Sequence, residues 1–331
     1  MSELVLSKEE LVILLNLMGS RIAVDYPFSN DQIFTAETED KHYKLELHID
    51  DRYSDSGYVL WEKEKPSYSD YRQSFLASNL INYSNLEEFR QEYRTYSNLR
   101  TKVVYAPDTN LFYNQFLSTG IINPDETLLV ETVQKEITRM LNKKFNPKDL
   151  SVLKNSVKYQ KNLFDEFHNG RMKPSRLAYN LALQEYRTYS NQVYATAQTG
   201  DLHKDKEEND VLFVEAVKEY QKNSNTFPVV LTCDRLLVDI CESIGVNYFL
   251  FELPRSIQPS DASPEQLCHV LCSLAGVLGV VQVNKIIIFG EFRGKTSYDE
   301  YKVRFKSGKV PLELERDLEI CRELVKLKID F

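Results

Sequence analysis

The chain has 331 residues, 42% hydrophobic and 27% charged, a composition that excludes a disordered chain and is typical of a globular protein of two or three domains. Its formal net charge of −8, taken alone, disfavours nucleic acid as a partner. The charge is uneven, because residues 1–98 carry a net −8 whereas residues 133–176 carry a net +7. The local asymmetry is therefore more informative about partners than the total.

Cysteine usage and hydropathy bear on the compartment. The five cysteines show no framework spacing, which favours a reducing, cytoplasmic environment. Acidic residues precede the first apolar stretch, where a signal peptide would carry basic ones. The apolar run from Val270 to Val283 is shorter than a membrane-spanning helix requires. We therefore expect a soluble cytoplasmic protein with no membrane partner.

The N-terminal region, up to about residue 75, predicts a small α+β unit. Residues 7–19 predict a helix that begins with Ser7 and Glu10 as a capping box. The segment KHYKLELHID alternates polar and apolar residues as a strand does, and SGYVLWEKE is a second strand candidate after the turn DDRYSDSG. A helix predicted at 84–98 leads into the next domain.

From residue 102 the pattern becomes that of an α/β fold, starting with the short apolar strand VVYA. The elements predicted after it are helices at 109–118 and 126–142, a polar and basic stretch at 146–200, a helix at 209–222, the strand PVVLTC, a helix at 235–244, the strand NYFLFEL, a helix after residue 264, the strands IIIFGEF and YKVRF, and a helix at 311–327. Strands that alternate with helices predict βαβ units and a parallel sheet.

Four acidic residues stand at or near the ends of these elements. Asp108 and Asp234 follow predicted strands, Asp210 opens the helix at 209–222, and Glu136 lies within the helix at 126–142. Open α/β sheets place ligand groups at the carboxyl ends of their strands, and hard divalent cations prefer oxygen ligands. Each acid taken singly is better explained as a helix cap, a turn residue or a surface residue. Their conjunction is what favours a site.

The segment from about 102 to 254 resembles the PIN-domain family of metal-dependent ribonucleases. The motifs that carry the resemblance are APDTN at Asp108, VETVQKEI around Glu136, NDVLFVEAV at Asp210 and LTCDRLLVDICESIGV at Asp234. The glutamate is a choice between two, because Glu131 lies on the same predicted helix.

The resemblance implies a fold class of α/β, with a PIN-like three-layer α/β/α core and a parallel central sheet. This core would occupy residues 99–254, with a basic helical insertion at about 145–200. Residues 1–98 would form an N-terminal α+β accessory domain, and residues 255–331 a C-terminal α/β extension packed on the core.

The function that the resemblance implies is a metal-dependent endoribonuclease, which hydrolyses RNA phosphodiester bonds with a metal-activated water. Asp108, Glu136, Asp210 and Asp234 would be the catalytic residues and hold Mg²⁺ or Mn²⁺, while Asn110 and Thr232 would orient these carboxylates. The lysines expected to guide the RNA backbone are Lys143, Lys144, Lys148, Lys154, Lys158 and Lys161. A solvated helical surface is the better explanation for most of these lysines.

Two other functions stay open from the sequence. One is a non-catalytic RNA-binding or scaffold protein that keeps the fold and has lost productive metal binding; the other is a structure-specific DNA nuclease. The intact set of four acids favours the enzyme, and no helical-arch signal supports the DNA nuclease. RNA is the expected partner, and a homo-oligomer or an inhibitory protein partner stays open.

The octapeptide QEYRTYSN occurs twice, at Gln91–Asn98 and Gln184–Asn191. Two copies so far apart do not make a solenoid, which needs several contiguous repeats. One interpretation is two surface helices of similar composition, or a recent duplication; the other is two equivalent Tyr/Arg helical faces that grip a nucleic-acid backbone or stack bases. The first interpretation is slightly favoured.

Overall fold

The computed structural model describes residues 3–49 and 59–327. Its strands are β1 (Glu3–Ser7), β2 (Arg21–Tyr26), β3 (Asp31–Glu39), β4 (His42–Leu47), β5 (Lys102–Pro107), β6 (Leu128–Val130), β7 (Ala195–Ala197), β8 (Thr226–Thr232), β9 (Asn247–Leu250), β10 (Asp261–Ala262), β11 (Val280–Val283), β12 (Ile286–Phe289) and β13 (Glu300–Phe305). Its α-helices are α1 (Leu11–Leu15), α2 (Val59–Glu64), α3 (Tyr68–Ala77), α4 (Leu86–Tyr96), α5 (Thr109–Tyr113), α6 (Glu131–Met140), α7 (Pro147–Ser156), α8 (Lys173–Leu177), α9 (Leu183–Tyr189), α10 (Lys206–Asn223), α11 (Arg235–Ile244), α12 (Pro264–Leu278) and α13 (Leu312–Lys326).

The described chain forms two compact units built from interleaved segments. The first unit takes the described residues of 1–80, 143–176 and 258–331, and the second takes 81–142 and 177–257. The basic stretch that the sequence analysis treated as one insertion is thus divided between the units. Helices, an antiparallel sheet and a small parallel sheet together confirm the α/β class at that level.

An eight-stranded sheet forms the first unit, in the order β1-β13-β12-β11-β2-β3-β4-β10, with neighbouring strands antiparallel. Helix α12 packs on this sheet, and every residue from Val270 to Leu278 is buried. A Cβ at Gly290 would lie 2.2 Å from the carbonyl oxygen of Ala275, so the chain after β12 approaches α12 more closely than any other residue would allow. The apolar run is therefore a core helix with its following strand.

No helix within residues 3–49 and 59–327 is both long and apolar enough to cross a membrane.

The first predicted helix is wrong over most of its length. Residues Glu3–Ser7 pair with β13, and only Leu11–Leu15 is α-helical. The predicted capping contacts nevertheless form, since Ser7 N donates to Glu10 Oε2 at 2.9 Å and Glu10 N donates to Ser7 Oγ at 3.3 Å. The predicted capping contacts are present, but Ser7 ends a strand and the residues before and after the short helix form turns.

The next two predictions had opposite outcomes. The strand in KHYKLELHID is confirmed over His42–Leu47. The strand in SGYVLWEKE is wrong where it is described, because Val59–Glu64 is helical and buries Trp61 and Glu64 on one face. The start of that segment and the predicted turn DDRYSDSG lie outside the described residues.

The second unit contains the parallel sheet, in the order β5-β8-β9, and a second parallel pair, β6-β7. Pro107 at the end of β5 is in register with Leu231 near the end of β8. The backbone N–H of Asp108 continues this ladder by donating to the carbonyl of Leu231 at 2.9 Å. The residues that follow β5 and β8 therefore leave the sheet at the same edge, as the sequence predicted.

Aromatic packing anchors α4 to this sheet. The ring of Phe89 lies 5.0 Å from that of Phe249 and 4.9 Å from that of Phe251, and Phe116 lies 5.0 Å from Phe251. Such pairs add to the burial of apolar surface in a core. Residues 81–98, which the sequence analysis placed with the N-terminal domain, are thus part of the unit that carries the four acids.

Candidate functional site

Asp108 is the most enclosed of the four acids, with 5% of its surface exposed. It precedes α5 as its N-cap, and its Oδ1 accepts the backbone N–H of Leu111 at 3.1 Å. Its Oδ2 accepts the hydroxyl of Thr232 at 2.6 Å and the side-chain amide of Asn110 at 3.2 Å. Capping alone does not require burial, so this carboxyl group is held more tightly than a surface cap needs to be.

Asp234 is the N-cap of α11 and lies two residues past Thr232, the last residue of β8. Its Oδ1 accepts the backbone N–H of Leu236 at 3.0 Å, and its own N–H donates to Thr232 Oγ1 at 2.9 Å. Thr232 therefore contacts both acids that follow the parallel strands. Asn110 and Thr232 both bond Asp108, which is the geometry expected of residues that orient it.

The two glutamates of α6 have different surroundings. Glu136 Oε2 accepts the hydroxyl of Thr109, the residue next to Asp108, at 2.5 Å. Glu131 instead accepts the backbone N–H of Thr199 at 2.9 Å and pairs with Lys135 at 3.1 Å. The structure thus brings Glu136 toward the other acids and gives Glu131 a separate role in joining α6 to the segment after β7.

Asp210 lies on α10, but not where the sequence analysis placed it. The helix begins at Lys206 with Asp205 as its N-cap, so Asp210 is in the second turn and does not open the helix. Its Oδ2 lies 3.9 Å from Nζ of Lys206, which precedes it by one turn on the same face. The same ammonium group donates to Asp234 Oδ2 at 2.7 Å.

The pKa values of Asp108 and Asp210 reflect the charges of the neighbouring acids. Burial raises the pKa of Asp108 to about 6, although Thr232, the Leu111 N–H and Asn110 all stabilise its charged form, and the charge of Asp234 adds to the rise. Burial also raises the pKa of Asp210 to about 6, opposed by Lys206 and reinforced by the charges of Glu136, Asp234 and Asp108. All four acids therefore belong to one electrostatic cluster.

Asp234 behaves differently within this cluster. Burial would raise its pKa, but the hydrogen bond from Lys206 and the N–H of Leu236 outweigh burial and lower it. Lys206 responds in the opposite sense, since burial is outweighed by the bond to Asp234 and the nearby acids, and its pKa is raised. The pair therefore stays fully charged across the neutral range.

The donor chemistry of the four acids fits a hard divalent cation, because each of them offers carboxylate oxygens. The ammonium of Lys206, which contacts Asp234 and lies near Asp210, marks a position where a cation is favourable. As the side chains stand, however, no group of three or more His, Cys, Asp or Glu residues in the described chain is close enough together to hold a metal ion. The carboxylates are of the type that a hard cation prefers, but these side chains would have to move before they could surround one.

The predicted RNA-guiding lysines lie in the first unit, whereas the four acids lie in the second. Lys143, Lys144, Lys148, Lys158 and Lys161 are exposed. Lys154 is half-buried and bonded to Asp165 at 2.5 Å, so it has a structural partner within its own unit. A solvated protein surface explains the positions of these lysines as well as a role in guiding RNA does.

Two residues at the site were missed from the sequence, Lys206 and Thr109. Lys206 stands four residues before Asp210, a spacing that places both on one helical face once the helix is known to start early. Thr109 is the central residue of the Asp-Thr-Asn motif, whose outer two residues alone were selected. No protein-family model matches this chain, and a search of curated proteins finds no match either.

Proposed function

We propose that the chain is a metal-dependent endoribonuclease with a PIN-like three-layer α/β/α core, which hydrolyses RNA phosphodiester bonds. The observation that carries the proposal is the convergence of Asp108, Glu136, Asp210 and Asp234. These acids come from the ends of two parallel strands and from two helices, and they are electrostatically coupled. Perturbed carboxyl groups that cluster at the carboxyl edge of a parallel sheet are typical of functional sites.

The clustered acids lower the stability of the folded state, which supports a functional role for them. Two carboxyl groups with pKa values raised to about 6 must give up protons at neutral pH, which destabilises the folded state. A cation bound among these carboxylates would offset that loss of stability. Such compensation is what an Mg²⁺ or Mn²⁺ ion provides to carboxylates that face one another.

The residues of the chain have distinct parts in this proposal. Asp108, Asp210, Asp234 and Glu136 would hold the ion, Thr232 fixes Asp108, and Thr109 fixes Glu136. When bound, the ion supplies a Lewis acid that polarises the scissile phosphate and lowers the pKa of the attacking water. Asn110 is exposed and bonds Asp108, so it holds the carboxylate from the solvent side.

One observation favours the non-catalytic alternative, an RNA-binding or scaffold protein. The acids as placed do not form a group of three within residues 3–49 and 59–327 that could hold a metal, and Asp234 is bonded to Lys206. A protein that had lost metal binding would show RNA binding that is insensitive to Mn²⁺ and no cleavage.

The test is a cleavage assay on structured and unstructured RNA with Mn²⁺, for wild type, Asp108→Asn and Asp234→Asn. Each substitution is expected to lower the cleavage rate at least about 100-fold, because it removes a negative ligand from the cluster. Asp239→Asn is the matched control, since Asp239 is exposed on α11, the helix that Asp234 caps. This variant should cleave RNA at the wild-type rate. Cleavage that survives both site substitutions would sink the proposal.

A further inference from the structure

Lys206 is a cation that the sequence patterns do not reveal and that stands among the four acids. Its Nζ donates to Asp234 Oδ2 at 2.7 Å and lies 3.9 Å from Asp210 Oδ2. The side chain of Lys206 is 64% exposed, whereas those of Asp210 and Asp234 are 16% and 21% exposed. The ammonium group therefore reaches the carboxylates from the solvent side.

We propose that Lys206 is the resident counter-ion of this cluster, and that a divalent metal ion must displace its ammonium group from Asp234 in order to bind. The inference rests on the proposed metal-dependent function and adds a regulation of the same site. Metal occupancy would depend on a competition between an ion from solution and a cation that belongs to the chain.

Geometry places the two cations in competition for Asp234. A bound Mg²⁺ sits about 2.1 Å from a carboxylate oxygen, which would leave it within a few ångströms of an ammonium group on the same carboxylate. Like charges at that distance repel, although the exposure of Lys206 screens part of the repulsion. The other oxygen of Asp234 accepts the N–H of Leu236, so each carboxylate oxygen already has one hydrogen-bond donor.

Lys206 is also placed to be released. It is the first residue of α10, its side chain is mostly exposed, and its ammonium can return to water. An ion pair of this kind is weak, so a divalent ion of moderate affinity can displace it. While no metal is bound, the ammonium offsets the mutual repulsion of Asp210 and Asp234.

The alternative is that Lys206 forms an ordinary surface ion pair with no bearing on metal binding. Lys222 provides the control, because it is exposed on the same helix and its removal changes the net charge equally. It lies 16 residues further along α10, roughly 24 Å away at the rise of an α-helix, beyond the Debye length at physiological salt.

The experiment is a Mn²⁺ titration of the full chain by calorimetry and by the magnetic resonance signal of free Mn²⁺, at one fixed ionic strength. Lys206→Gln is expected to bind Mn²⁺ at least about fivefold more tightly than wild type, and Lys222→Gln within about twofold of it. Lys206→Arg keeps the charge and should stay near wild type. A Lys206→Gln variant that binds no more tightly than Lys222→Gln overturns the inference.

Lys206→Met, which keeps the alkyl chain and lacks the charge, guards against an effect of the glutamine itself and should tighten binding as Lys206→Gln does. Cleavage assays on the same samples separate the two proposals. If Mn²⁺ binding follows the expected order and no variant cleaves RNA, the counter-ion inference stands and the nuclease proposal fails. If cleavage depends on Mn²⁺ while Lys206→Gln and Lys222→Gln bind equally, only the inference fails; if no variant binds Mn²⁺, both fail.

Discussion

The hydroxyl of Thr232 donates a 2.6 Å hydrogen bond to Oδ2 of Asp108, which joins the end of β8 to the end of β5. The same Oγ1 accepts the backbone N–H of Asp234 at 2.9 Å. Thr232 is fully buried and Asp108 nearly so. One threonine side chain thus holds two of the four acids in position, although they are far apart in sequence.

The first prediction concerns this hydroxyl. Thr232→Val is expected to lower the free energy of unfolding by about 1–3 kcal/mol, because it removes one of the three donors to the buried Asp108 carboxylate and leaves the backbone N–H of Asp234 without its acceptor. Urea denaturation at neutral pH measures the loss. Thr232→Ser keeps the hydroxyl and should lose clearly less stability. If Thr232→Val, which keeps the β-branched shape, were no less stable than Thr232→Ser, the hydrogen bond would not be the source of the stability and the prediction would fail.

The second prediction concerns the pH dependence of stability without added metal. The pKa of Asp210 is raised, chiefly by burial, from 3.8 to about 6 in the folded state. A group of this kind binds its proton more tightly when folded, so it contributes to a fall in stability as pH rises from about 4 to about 6. Asp210→Asn should reduce that fall.

At neutral pH, Asp210→Asn should raise the free energy of unfolding by roughly 1 kcal/mol, a value that allows for partial solvent screening and for the lost pairing with Lys206. Denaturation midpoints across the acidic range measure the effect. Asp239→Asn, on an exposed position, serves as the control. A variant that is less stable than wild type at neutral pH and equally dependent on pH would contradict the prediction.

The third prediction separates the two glutamates of α6. Glu136→Gln should weaken Mn²⁺ binding and lower the cleavage rate by about 10–100-fold. The substitution removes from the cluster the negative charge of a side chain that the Thr109 hydroxyl orients. Glu131→Gln should leave cleavage within a few-fold of wild type, because its partners are the Thr199 N–H and Lys135. Parallel titrations and cleavage assays measure both. The reverse order would assign the metal-holding role to Glu131.

The residues of the site that could be predicted from the sequence are those that directly follow strands. Asp108 and Asp234 follow apolar strands. The residues that follow two adjacent parallel strands lie at the same edge of the sheet, whatever the structure of the rest of the chain. Asp210 was placed less well, because the run KDKEEND offers several capping residues and Asp205 proved to be the cap. Which of several local caps is used depends on packing that the sequence pattern does not contain.

The interleaving of the two units could not be predicted. Strand β1 pairs with β13, from the opposite end of the chain, and β11 pairs with β2. Hydrophobic periodicity reports which face of an element is buried but not which distant element covers it. Consecutive domains are therefore what the sequence patterns predict, and no pattern indicates a strand at Glu3–Ser7, because that strand exists only through its distant partner.

The repeated octapeptide also shows that the local sequence does not determine the surroundings of a residue. Glu92 and Glu185 occupy the same position in the two copies of QEYRTYSN. Glu185 is 1% exposed and accepts both the backbone N–H of Ser118, at 2.9 Å, and its hydroxyl. Glu92 is exposed on α4. Identical sequences therefore meet different surroundings, which favours similar composition over a shared RNA-gripping role.

The fourth prediction uses the two copies as matched controls for each other. Glu185→Ala should lower the free energy of unfolding by about 1–3 kcal/mol, because the backbone N–H of Ser118 loses its acceptor inside the protein. Glu92→Ala, the same change in the same octapeptide, should cost about 0.5 kcal/mol or less, as exposed substitutions usually do. Urea denaturation of the two variants measures the difference. Equal losses of stability, or an equal loss of RNA affinity in both, would instead indicate that the copies act as equivalent units.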